Sequence, residues 1–138
     1  MPKLKYRSGD NMETLLGLSG ELLWSGGNYM HGGQSFTLAK NVYEFQTGLV
    51  FVWSFYNGQM QDYWFNSCLV LREDIRRNYG MGHVFLLSSN KFEQIAAKYV
   101  YISEQKITGT DDNLATGTAP SGIKYANNAF VLREVWGV

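Results

Sequence analysis

The sequence predicts an all-β fold: an antiparallel two-sheet β-sandwich of about eight strands, with a short N-terminal helix or arm. Three observations predict it. Aromatic residues make up 15% of the 138-residue chain and glycines number 15, against a charged fraction of 17%, a mix that favours sheets and tight turns over helices. Short apolar runs recur from Glu21 onward, each bounded by Gly, Asn, Asp or Ser. Asn57-Gly58 follows one such run directly, and Asn-Gly is the strongest short hairpin signal because both residues tolerate the positive φ of a tight turn.

A chain of this length is expected to form one domain, able to bury a core without disulfides or metals. We divide it into residues 1–20, the arm or short helix, and residues 21–138, the sandwich. In the first part Asp10 and Glu13 have the spacing of an N-cap and N3 pair, which would start a helix over Asn11 to Leu16, stopped by Gly17 and Gly20. Strands are then predicted at Glu21 to Ser25, Ser35 to Ala39, Leu49 to Tyr56, Tyr63 to Leu71, Val84 to Ser88, Ile95 to Ser103, Lys106 to Gly109 and Ala129 to Val138. Gly26-Gly27 and Gly32-Gly33 bracket the bend between the first two and would supply the φ freedom of a corner.

Leu49 to Tyr56 is apolar on both alternating faces, as suits a central strand covered on each side. Phe51, Trp53 and Phe55 are assigned to the main core; Val50, Val52 and Tyr56 would lie under a loop, a helix or another subunit. Asn57-Gly58 joins this strand to Tyr63-Trp64-Phe65, and Ser103 to Lys106 forms a second tight hairpin. Arg72 to Asn78 is a charged helical turn closed by Gly80, read as a solvated crossover. Thr108 to Gly122 is a long polar loop, rich in turn formers.

Charge and cysteine content narrow the function. Twelve basic residues balance 12 acidic ones and are scattered in ones and twos, so no cationic patch exists to displace counterions from a nucleic acid. Cys68 stands alone, which rules out an intrachain disulfide and suits a buried small hydrophobe. No apolar run of signal-peptide or membrane-span length follows Met1-Pro2-Lys3, so we expect synthesis in the cytoplasm, no export signal and no membrane partner.

Catalytic signatures are absent. Gly32-Gly33 leads into Gln34-Ser35-Phe36-Thr37-Leu38, which alternates like a strand and lacks the Lys and helix N-terminus of a phosphate loop. His31-Gly32-Gly33 resembles an oxyanion loop, yet no Gly-x-Ser-x-Gly elbow accompanies it. His31, His83 and Cys68 do not make a zinc set, and Asp111-Asp112-Asn113 lacks the rest of a calcium loop. Glu21, Glu44, Asp62 and Glu93 could pair as glycosidase carboxylates only through the fold, and none sits in a distinctive motif. The expectation is therefore no enzyme, no cofactor and no metal. Surplus aromatics remain, and Tyr56 and Trp64, flanking the Asn-Gly turn, are the candidate contacts to a partner or a glycan.

Several segments together resemble one family. Glu21 to Met30 (ELLWSGGNYM), Gly48 to Ser54 (GLVFVWS), Lys98 to Ser103 (KYVYIS) with Lys106-Ile107, Gly122-Ile123, Phe130 to Arg133 and Gly137-Val138 are similar, in the same order and near the same spacing, to small tail-associated proteins of siphophages and prophages of Gram-positive bacteria. That family's fold is similar to the shoulder domain of lactococcal phage receptor-binding proteins. The resemblance implies a non-enzymatic structural protein of the tail tip or baseplate, located in the virion tail, contacting other tail proteins and assisting host adsorption. Self-assembly is expected with it, as a homotrimer, since symmetric trimers are common in such attachments. The alternative reading is a carbohydrate-binding module that recognises cell-wall polysaccharide through exposed aromatics.

Overall fold

A computed structural model describes residues 20–138, so the predicted N-terminal helix lies outside the described residues. Within them, strands β1 (Glu21–Asn28), β2 (Ser35–Thr37), β3 (Gly48–Phe55), β4 (Asn66–Leu71), β5 (Gly82–Ser88), β6 (Ile95–Ile102), β7 (Lys106–Thr108), β8 (Thr116–Thr118), β9 (Lys124–Ala126) and β10 (Phe130–Gly137) form, with one short helix, α1 (Arg72–Arg77). Sheet A runs β1-β10-β3-β4 and sheet B runs β2-β7-β6-β5; β8 and β9 make a separate hairpin. Every pairing is antiparallel. The eight predicted strands are all present in this sandwich.

Alternation in β3 decides which way sheet A faces. Leu49, Phe51 and Trp53 are fully buried, and the Phe51 and Trp53 rings meet Phe85 of sheet B with centroids 4.9 and 5.6 Å apart. Val70, Leu132 and Val135 join them from sheet A, and Val100, Ile102 and Ile107 from sheet B. Phe55, assigned to the core from sequence, is only half-buried. It lies at the strand's end, where the facing sheet no longer covers it. In β1 a register shift between Leu22 and Trp24 turns both Leu23 and Trp24 toward the interior, and Trp24 stacks on Phe36 at 4.1 Å.

Three expectations are corrected. The Asn-Gly turn closes a single bridge, Tyr56 to Met60, after which residues 61–65 run irregularly and β4 begins only at Asn66 rather than Tyr63. Trp64 there adopts φ 56°, a left-handed conformation that no strand accommodates. The glycine pairs do not serve φ freedom: β1 continues through Gly26-Gly27 to Asn28, and the positive φ in this stretch belongs to Met30, at 65°. Gly26 and Gly32 serve close approach instead, since a Cβ would meet the Trp24 ring at 2.7 Å and Asp111 Oδ1 at 3.0 Å. The segment Thr108 to Gly122, read as a loop, carries a 3₁₀ turn over Asp111–Leu114 and strand β8.

Sheet B is completed by side chains where strands fall short. β7 pairs with β6 only at Tyr101 and Ile102, leaving the Ala97 to Tyr99 edge without a strand among the described residues. Asn113 fills the place of one: its Oδ1 accepts from Tyr99 N at 2.7 Å and its Nδ2 donates to Tyr99 O at 2.8 Å and Met30 O at 2.6 Å. Asn127 accepts from Ala97 N at 2.8 Å and donates to Asp112 O at 2.9 Å. On the far edge of β5, Asn66 accepts from Ser88 N at 3.3 Å and donates to Ser88 O at 3.1 Å. A carboxamide has the donor and acceptor of a peptide group, so each asparagine acts as a one-residue strand.

Gly48 opens β3 under Val70. A Cβ there would lie 2.1 Å from Val70 O, and its φ is 154°. Gly48→Ala is expected to cost about 2 kcal/mol or more through forced displacement of the β3–β4 ladder, read as a lowered denaturant midpoint with unchanged slope.

Candidate functional site

Two tyrosines and three amide side chains build a polar cleft. Tyr29, just past the end of β1, and Tyr56, just past the end of β3, meet edge to face with ring centroids 4.9 Å apart. Asn57 and Gly58 of the turn form one wall, Gln94 and Asn128 another, and Phe55, Ala126 and Ala129 the floor of a cleft of about 390 Å³. Burial first, and the Tyr56 hydroxyl second, hold the Tyr29 phenol above its ordinary value. Flat ring faces beside amides can pack against a sugar ring while bonding its hydroxyls.

Of the two predicted contact residues, Tyr56 lines this cleft and Trp64 does not. Trp64 is half-buried against Phe55 at 4.5 Å, with Tyr63 edge-on at 5.3 Å. The 61–65 segment that carries it is pinned by Arg133, which donates to Ser54 Oγ at 2.9 Å and Gln61 O at 3.1 Å and pairs with Asp62 at 2.9 Å. The sequence singled out Tyr56 and Trp64 but missed Tyr29, Gln94 and Asn128, which arrive from distant segments and have no local signature.

Several of the other polar candidates have structural employment, whereas His83 Nε2 is buried with no hydrogen-bond partner among the described residues. His31 Nδ1 accepts from Gly33 N at 3.0 Å, closing its own turn. Glu21 pairs with Lys40 at 2.9 Å, Glu44 completes the capping box of the 3₁₀ turn Val42–Glu44, and Asp62 holds Arg133. Asp111 accepts from Gly32 N at 2.9 Å. Cys68 is half-buried, and burial raises its thiol pKa. Among the described residues no group of three His, Cys, Asp or Glu side chains converges as a metal site would, and no helix is long and apolar enough to cross a membrane.

One charged group lies beneath the cleft floor. Lys98 alternates with Ala96, Val100 and Ile102 on the inner face of β6 and is fully buried. Its Nζ donates to Tyr29 O at 3.0 Å and Asn113 O at 3.2 Å and lies 5.6 Å from the centroids of the Tyr29 and Trp53 rings. Desolvation lowers its pKa to about 7. The amine ties the backbone below Tyr29 to the turn that carries Asn113, so it positions the cleft without reaching it.

No protein-family model and no curated protein matches this chain.

Proposed function

We propose that the protein is a non-enzymatic structural component of a phage tail tip, assembling with other tail proteins and with copies of itself and assisting host adsorption. The sequence resemblance supports this reading, and one structural observation carries it. Leu22, Trp136, Val50 and Leu69 stand side by side in register across all four strands of sheet A, on the face turned away from the core. Leu22 and Leu69 are 43% and 51% exposed, and Leu71 extends the row. An apolar row spanning a whole sheet costs free energy in water and is recovered by a covering protein.

The test is mass spectrometry and immunogold labelling of purified particles of the phage that encodes the chain. Label at the tail tip is the expected result, lost in particles carrying Leu22→Asp with Leu69→Asp, while the isolated variant keeps its circular dichroism. Absence of the wild-type protein from the tail overturns the reading.

The Tyr29–Tyr56 cleft favours a second reading, a module that binds cell-wall glycan. Titration calorimetry with wall polysaccharide would then give binding weakened about tenfold or more by Tyr56→Ala, the loss of one aromatic contact being worth on the order of 1.4 kcal/mol. Trp64→Ala, off the cleft, would leave it unchanged. No heat with the wild-type protein sinks this reading.

A further inference from the structure

Strand β5 is an edge strand built for company. It pairs on one side with β6 over its whole length without a register shift, and on its other side, among the described residues, it has no strand. Natural edges are blunted by charge, proline or a bulge. GHVFLLS has no charged residue and no proline, and its regular register leaves no bulge.

The direction of its backbone groups follows from the bonds at its two ends. Ser89 N donates to Gln94 O, and Met81 O accepts from Ile102 N, so odd-numbered residues address the β6 side. Ser88 bonds Asn66 on the opposite side. Gly82, Val84 and Leu86 therefore turn their N–H and C=O groups outward, and among the described residues none of these groups has a partner beyond β6. The Val84 and Leu86 side chains stand on the solvent-facing surface of sheet B, perpendicular to those groups, and are 64% and 77% exposed. Asn66 seals the position after Leu86, which limits the open edge to residues 82–86.

We infer that this edge pairs with β5 of a second copy of the same chain, antiparallel about a two-fold axis at Val84. The open window is symmetric about that residue, so Val84 faces its own counterpart and Leu86 faces Gly82, over which the Tyr99 ring of the same copy lies. All outward groups of both windows then exchange hydrogen bonds, and the two B sheets become one eight-stranded sheet. An uncharged strand calls for an uncharged partner, and the edge supplies its own complement. The row across sheet A stays free, so this pairing is independent of the proposed tail contacts.

Sedimentation equilibrium of the full chain tests the mass and cysteine crosslinking tests the register, both at tens of micromolar protein. The expected mass is an even multiple of 15.7 kDa, halved in Val84→Lys, which sets two ammonium groups face to face. In a Cys68→Ala background, Val84→Cys should oxidise to a crosslinked dimer, because facing residues of a hydrogen-bonded pair stand about 5.5 Å apart, within disulfide reach. Leu86→Cys should not, its counterpart being about 13 Å away along the strands. An odd multiple of the protomer mass, a mass unchanged by Val84→Lys, or crosslinking at Leu86→Cys without crosslinking at Val84→Cys overturns the inference.

Discussion

Asn113→Ala is expected to lower folding stability by about 4 kcal/mol, the largest effect of any single polar substitution in the domain. The side chain is fully buried and its three hydrogen bonds all go to backbone groups of other segments: Tyr99 N, Tyr99 O and Met30 O. Alanine leaves Tyr99 N and Tyr99 O without partners, while Met30 O keeps its bond from Thr110 N at 2.9 Å; each buried orphan costs about 1–3 kcal/mol, less what water recovers by entering the space. Asn113→Asp separates this account from simple loss of packing. It keeps the volume and the bond from Tyr99 N but turns an acceptor toward two carbonyl oxygens, so it should destabilise at least as much. Urea unfolding of both variants, with exposed Asn90→Ala as a control expected within about 0.5 kcal/mol of wild type, checks the result. A loss below about 1 kcal/mol for both would show that the caps are ornamental.

The second large effect is a dependence of stability on pH set by Lys98. Its folded pKa is about 7, while a lysine in the unfolded chain titrates near 10.4. Between those values the unfolded state binds more protons than the folded state, so stability must rise with pH across the window and level off below pH 7. A difference of about three units corresponds to a ceiling on the order of 4 kcal/mol. Two carbonyl acceptors and two ring faces favour the ammonium form and reduce the realised gain below that ceiling. Cys68 acts in the opposite sense above its own ordinary pKa, because burial holds its proton on in the folded state. Wild type and Lys98→Met share that contribution. The difference between their urea-unfolding free energies at pH 6.5 and pH 9 therefore isolates the lysine, and parallel pH profiles would show that its amine is not desolvated as described.

What the sequence disclosed follows the range of the forces involved. Leu49, Phe51 and Trp53 are legible because alternation is a local property, and burial on one face follows from it. The turn at Asn57-Gly58 and the hairpin at Ser103 to Lys106 are legible for the same reason, since turn chemistry involves adjacent residues. The start of β4 is not, because Tyr63-Trp64-Phe65 has strand-like composition and loses its partner only when Arg133, from the last strand, takes hold of Gln61 and Asp62.

The site was harder still. Tyr56 could be found beside its turn, whereas Tyr29 reaches it through the bulged end of β1 and Gln94 through the loop before β6. Lys98 had a signal that composition conceals: in Ile95-Ala96-Ala97-Lys98-Tyr99-Val100 it shares the parity of Ala96 and Val100, and period two places it inside. Asn113 looked like part of an acidic turn. Only the shortness of β7, a property of the assembled sheet, gives its carboxamide a strand to complete.

The asparagine caps also bear on the order in which the chain folds. β5 and β6 form a local hairpin, but Asn113 and Asn127 lie 14 and 30 residues beyond the groups of β6 they satisfy. Closing those loops costs entropy, and the 3₁₀ turns that aim the amides must form first. A nascent β5–β6 hairpin is therefore open along both margins, one at Ala97 to Tyr99 and one at Gly82 to Leu86. The first is closed from within the chain as folding finishes. While it stands open, the half-made sheet exposes unpaired backbone groups to other strands, and in the finished fold the two amides occupy that margin.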